Sequence, residues 1–251
     1  MEIFYPIIFI FGLAVGSFLN CVIYRLALPR GRSFCPHCKH ILSWQDLIPV
    51  LSFLILRGKC RYCQKKISWQ YPLVELATGL LFVLIFWHLG FGFDLAFGFW
   101  ILISCFLIII FVYDLKHFII PDKIIYPAIG VVFIYNVLRD PTSLMRSGLA
   151  AILAAGFFLS IVLVSRGRWM GLGDVKLAFL MGLFLSFPNI LIALFFAFLI
   201  GAIIGVGLIL AKRKTLRSEV PFGPFLVTGT FFALFWGERI AQWYLDLFLY
   251  V

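Results

Sequence analysis

The sequence predicts an all-α polytopic membrane protein of about eight transmembrane helices, with one small hydrophilic domain between the first two. Three observations lead there. Of the 251 residues, 63% are hydrophobic and only 13% charged, whereas a soluble domain is about half apolar and about a quarter charged. The mean hydropathy of +1.08 excludes a soluble single domain. Apolar runs of about 15 to 25 residues recur along the chain, and a span needs roughly 20. The net charge of +10 would suggest nucleic acid in a soluble chain. In a membrane protein basic residues first report orientation, so no nucleic-acid partner is expected.

The apolar windows fall near residues 3–26, 73–90, 96–113, 124–138, 148–165, 177–187, 190–211 and 225–249. The first follows Glu2 and precedes Arg25 and Arg30. It is longer than a signal core and has no small-residue cleavage site, so it reads as a retained span with Met1 outside. The sixth is short, and the Phe187-Pro188-Asn189 break that ends it reads as a loop or as a kink, which leaves seven spans as the alternative. If the first span runs outside to inside, the cytoplasmic segments are 25–72, 114–123, 165–176 and 212–221. They hold eighteen of the 21 Lys and Arg, leaving Arg139, Arg146 and Arg239 elsewhere. That skew fixes the expected orientation. The domains expected are the first span at 1–26, a cytoplasmic domain at 27–72 and a membrane bundle at 73–251.

The hydrophilic domain contains an internal repeat. Cys35-Pro36-His37-Cys38, four residues and Ser43-Trp44-Gln45 recur 25 residues later as Cys60-Arg61-Tyr62-Cys63, four residues and Ser68-Trp69-Gln70. Thiolates two residues apart clasp one Zn²⁺ from a tight turn, and two such turns complete a closed Cys₄ site without an open position for water. The expectation is one structural Zn²⁺ per chain on Cys35, Cys38, Cys60 and Cys63. Two disulfides are disfavoured by the reducing cytosol, and a redox motif normally has one CxxC. Cys21 and Cys105 lie in spans and read as core, and His37 and His40 are spare ligands. Between the knuckles, Ile48 to Leu56 is apolar apart from Ser52 and too short to span; it lies on the bilayer or covers the metal site.

Acidic residues are few enough to weigh singly. Glu2, Asp94, Asp140 and Asp246 fall in outer loops or ends, and Asp46 and Glu219 in cytoplasmic loops, where solvation is a sufficient account. Asp114 ends the apolar run from Ser104 to Tyr113, at the cytoplasmic end of the third span. A carboxylate there meets the negative end of the helix dipole and is costly at that depth unless paired or functional. An ion pair with Lys116 is the bland alternative. Asp174 follows Gly171-Leu172-Gly173 and opens another apolar run. Asp is a favoured N-cap, but the two glycines would also let backbone approach a substrate. Asp114 and Asp174 are expected at the same membrane face. Two carboxylates a few ångströms apart share a proton, so one activates water while the other polarises a peptide carbonyl. Asp122 follows Pro121 and reads as an N-cap or as support for such a pair. Glu238 beside Arg239 reads as paired, and Glu75 stays open.

Together these residues resemble the prepilin peptidase family, also called type IV leader peptidases, membrane aspartic proteases of the GxGD class. Gly171-Leu172-Gly173-Asp174 matches the GxGD motif, and Asp114 with Ile120-Pro121-Asp122 matches the other aspartate loop. The four cysteines match the family's cytoplasmic zinc domain. Gly16-Ser17-Phe18-Leu19-Asn20 with Tyr24-Arg25, Tyr71-Pro72-Leu73-Val74-Glu75 and Pro221-Phe222-Gly223-Pro224 resemble further stretches of it. The resemblance runs from the first span to the last.

It implies cleavage of the basic leader of type IV prepilins and type II secretion pseudopilins, after a glycine and usually before a phenylalanine. N-methylation of the new terminus by S-adenosylmethionine follows. It further implies Asp114 and Asp174 as the catalytic pair, Gly171, Gly173 and Asp122 as loop support, the pilin precursor and the lipid bilayer as partners, and a bacterial cytoplasmic (inner) membrane location. The methyl-donor residues are unknown, with residues 25–75 the expected region, and the oligomeric state is not indicated. A transporter or channel with a regulatory zinc domain is the rival, but the outer halves of the spans hold few polar residues. A non-catalytic scaffold leaves Gly171 to Asp174 unexplained.

Overall fold

A computed structural model describes residues 2–27, 33–90, 92–211 and 220–249; Arg30, Glu219 and most of the fourth basic segment lie outside the described residues. Among the described residues the regular structure is helical, with only two isolated bridges. The chain divides into two compact units, Met1–Ile109 and Ile110–Val251.

In the first unit, α1 (Phe4–Ala27) pairs with α3 (Gln70–His88). A Cβ on Gly12 would stand 2.6 Å from Gly79 Cα, and one on Gly16 would stand 2.7 Å from Glu75 Cα. This small-xxx-small stripe allows the two backbones to meet, which is how helices gain packing energy in lipid. Between them lie a 3₁₀ turn (Trp44–Leu47) and the short α2 (Leu51–Ile55). Phe53 is buried between the ring of Trp69 and Gly58, while Leu51, Leu54 and Ile55 are exposed. The division between the units falls within α4 (Leu95–His117).

The second unit contains α5 (Asp122–Arg139), α6 (Pro141–Ser165), α7 (Leu172–Leu185), α8 (Asn189–Leu210) and α9 (Gly223–Leu249). Helix α7 touches all four of the others. Its buried side includes Leu177, Leu180, Met181 and Gly182, and Gly182 lies directly on the Ala150–Ala151 backbone of α6. Helix α7 ends at Leu185 and α8 opens at Asn189, so Phe187-Pro188 is a break between two helices rather than a kink in one.

Among the described residues five helices, α1, α3, α4, α6 and α8, are long and apolar enough to cross a membrane. This is a membrane protein. The other three windows coincide with α5, α7 and α9. At its 14 residues, α7 extends about 21 Å by the helical rise, shorter than the roughly 30 Å hydrocarbon core.

Candidate active site and metal centre

Asp114 sits near the C-terminal end of α4 and is only 5% exposed. Its Oδ2 accepts the Gly223 amide at 3.1 Å. Gly223 is the first residue of α9, so one of that helix's unsatisfied amides is aimed at the carboxylate, at the positive end of the α9 dipole. A Cβ at Gly223 would stand 2.6 Å from the same oxygen. Only glycine allows the approach, which is the structural use of Pro221-Phe222-Gly223-Pro224. The run of glycine before proline could have signalled a helix start, but nothing local linked it to Asp114.

Asp174 lies in the first turn of α7, where Gly171, not Asp174, holds the cap position. Asp174 occupies the third helical position and its Oδ2 accepts the Gly171 amide at 3.3 Å. The N-cap alternative for Asp174 is therefore displaced by three residues, to Gly171, though the carboxylate still satisfies the helix start. Asp114 is close enough to act electrostatically on Asp174. Gly173 packs against the loop between α4 and α5: a Cβ there would meet Ile120 Cβ at 3.1 Å. Gly171 has no such neighbour and an ordinary φ of −89°, so nothing in its surroundings requires glycine.

Asp122 is not an N-cap either. Pro121 takes that place with an extended backbone, and Asp122 begins the helix. Its Oδ1 instead receives Lys176 Nζ at 2.6 Å, a bridge from α5 to α7 two residues beyond Asp174. Lys176 also stands 5.0 Å above the Tyr126 ring. Glu238 and Arg239 are both exposed on α9, where adjacent residues point apart, and no ion pair joins them.

The second centre repeats its hydrogen bonds at the sequence interval of 25. Cys35 N donates to His40 O at 2.9 Å and Cys60 N to Lys65 O at 2.9 Å. Lys39 N donates to Cys35 O, and Gln64 N to Cys60 O. Lys39 and Gln64 both take a left-handed φ, 57° and 58°. The four sulfurs lie within 4.8 Å of one another, with Cys35 and Cys63 3.9 Å apart. Tetrahedral Zn–S bonds of about 2.3 Å put sulfurs about 3.8 Å apart, so the residues fit the metal. The thiols compete for charge. Burial opposes ionisation of Cys35, but the Cys38 and His37 amides and the thiols of Cys38 and Cys60 outweigh it, bringing the thiol down to about 7. The Lys65 amide favours the Cys63 thiolate, yet burial and the other three thiols push it up to about 11. His40 is not in the cluster; its ring packs against Tyr62, tilted by 36° with centroids 3.7 Å apart.

Asp46 departs from its expected solvated role. Its side chain is 4% exposed and receives Arg61 Nε at 2.9 Å. Ser43 donates through both amide and hydroxyl, and Tyr62 through its hydroxyl. Burial opposes the charge, but Ser43 and Arg61 outweigh it and hold the carboxyl below the usual range. One carboxylate thus joins the segment after the first knuckle to the second knuckle.

Residues 10–89 match the description "Bacterial Peptidase A24 N-terminal domain" and residues 101–206 match "Type IV leader peptidase family". The chain belongs to the type IV leader peptidase family. It is 34% identical over 281 residues to the prepilin leader peptidase/N-methyltransferase of Aeromonas hydrophila, covering 98% of this chain and 96% of that one. The protein of the same name from Legionella pneumophila is 33% identical, with coverage of 98% and 96%. That of Bacillus subtilis (strain 168) is 34% identical, with coverage of 97% and 98%. No solved structure matches this leader peptidase.

Proposed function

We infer that this family member cleaves the leader from prepilin or pseudopilin precursors and then N-methylates the new terminus. The observation that carries the peptidase reading is the Asp114 carboxylate, held by the Gly223 amide and within electrostatic reach of Asp174. The pair shares one proton. The ionised carboxylate takes a proton from water as its oxygen attacks the scissile carbonyl carbon, while the protonated one donates to the carbonyl oxygen. Collapse of the tetrahedral intermediate returns a proton to the leaving amine. Gly173 seats the α7 turn on Ile120, and Asp122 holds α7 through Lys176.

All eight long helices cross the membrane, α5, α7 and α9 as shielded or shorter spans, with Met1 outside and both aspartates at the cytoplasmic face of a bacterial inner membrane. A precursor with a basic leader and an apolar helix then presents its scissile bond at that level. Cys35, Cys38, Cys60 and Cys63 hold one Zn²⁺, whose role is structural because four thiolates fill its coordination. S-adenosylmethionine supplies the methyl group. Purified protein incubated with a pilin precursor and the methyl donor should yield a product shortened by the leader and heavier by one methyl group, read by mass spectrometry. An uncut precursor overturns the reading.

A further inference from the structure

The methyl donor has no part in hydrolysis, so the bifunctional reading needs a second site. The first unit holds a cavity of about 430 Å³ between the knuckles and the α1–α3 pair, within the range of a small-molecule site. Tyr24, Phe34 and Tyr71 give it aromatic walls, and Ser17, Asn20 and Glu75 give it polar ones. Cys35 and Cys60 also line it, so the metal centre shapes its wall. Glu75 stands out: it lies on a membrane helix, is only 7% exposed, and neither hydrolysis nor metal binding uses it. Its Oε2 accepts the Val50 amide at 2.8 Å, and Ser17 donates to the same carboxylate. Both partners are neutral, and a carboxylate offers about four acceptor positions, so capacity remains for a cation. A buried acid in a membrane helix without a charged partner marks function by default.

We propose that this cavity is the methyl-transfer site and that Glu75 is its base, receiving a proton from the α-ammonium of the cleaved substrate. The proposal rests on the bifunctional reading above. The amine left by that proton transfer attacks the methyl carbon with its lone pair. The methyl carbon–sulfur bond breaks and its electron pair returns to sulfur, leaving S-adenosylhomocysteine and a secondary ammonium. The proton on Glu75 passes to water. Sulfonium and ammonium are both cations, which the buried Glu75 carboxylate and the aromatic faces attract. Asp46, already paired with Arg61, also lines the cavity, and Arg25, Lys65 and Lys66 on the same lining suit the carboxylate of the donor's amino-acid end.

The test uses full-length protein in lipid nanodiscs with three readouts. These are transfer of radiolabelled methyl to a synthetic peptide bearing the mature pilin terminus, S-adenosylhomocysteine binding by calorimetry, and cleavage of the precursor. Glu75→Gln, which keeps an acceptor for Val50, should lower methyl transfer by about 10²- to 10⁴-fold, the usual contribution of a general base. It should still bind S-adenosylhomocysteine and still cleave. Ser52→Trp, which fills the cavity from α2, should abolish S-adenosylhomocysteine binding and leave cleavage intact. Undiminished methyl transfer by Glu75→Gln, or undiminished binding by Ser52→Trp, overturns the site. If the unsubstituted protein cleaves but neither binds nor methylates, the bifunctional reading itself fails, an outcome distinct from retention in the variants. Zinc content reports folding, and should Glu75→Gln lose its zinc, the Ser52→Trp binding result decides.

Discussion

The two centres of this molecule are built at opposite scales. Each cysteine knuckle is closed by hydrogen bonds spanning a few residues, such as Cys35 N to His40 O, and the second copy repeats the first bond for bond at an offset of 25. The aspartate site joins residues 109 apart, Asp114 and Gly223, with Asp174 brought in by a third helix. A locally coded site tolerates change elsewhere, whereas a site assembled from helix ends depends on every helix that positions them. The difference also separates the chemistry: each thiolate pair needs only its own turn, the two turns then meeting across 25 residues, but two carboxylates work only when packing sets their mutual distance.

The largest expected effect tests whether the assembled site is the protease. Asp114→Asn or Asp174→Asn should lower leader cleavage by at least about 10³-fold, as loss of a catalytic group does, while the variants keep one Zn²⁺ per chain. Normal cleavage by either variant in a precursor assay would remove the pair from the mechanism.

Next comes the locally coded centre. Cys35→Ser or Cys60→Ser should lose the metal and make residues 33–69 protease-sensitive, because ligation free energy is also folding free energy. Chelation of the unsubstituted protein should reproduce this. A variant that retains stoichiometric zinc by elemental analysis would show that a different ligand set operates.

Gly223→Ala probes the link between distant helix ends. The added methyl would meet Asp114 Oδ2 at 2.6 Å, so the carboxylate must shift, and a misplacement of about 1 Å costs about 10²-fold in rate. Gly171→Ala, whose added methyl would meet nothing nearer than the Gly173 amide at 3.9 Å, should cleave nearly as well as the unsubstituted protein. Equal effects of the two substitutions in the cleavage assay would contradict the packing described for Asp114.

The smallest effect is expected at Asp122. Its pair with Lys176 is solvent-exposed, 59% on the aspartate side, and such pairs contribute about 0–1 kcal/mol. Asp122→Asn should therefore cleave within about fivefold of the unsubstituted protein, that energy range expressed as a rate. A loss matching Asp174→Asn would make Asp122 a member of the pair.

Sequence alone determined the membrane class, the eight apolar windows, the tetracysteine site and the identity of the informative acids. Composition sums over the whole chain, helical windows depend on residues within one element, and a CxxC turn closes on itself, so none of these needs knowledge of the fold. Only tertiary structure decided what each acid touches. Asp46 was read as solvated but is buried on Arg61, 15 residues away. Glu75 has no partner legible in the sequence, and in the fold it accepts the amide of Val50, 25 residues away. A helix cap is the alternative that the sequence leaves for Asp122 and Asp174, because Asp is common at helix starts, yet Pro121 and Gly171 hold those places. Gly223 had no assigned partner, since its need for glycine arises from an oxygen on another helix. For the long-range contacts of Asp46, Glu75 and Gly223 the physical reason is the same. A carboxylate's partner is set by helix packing in three dimensions, where close approach of small residues decides which ends meet, and sequence separation carries no information about that distance.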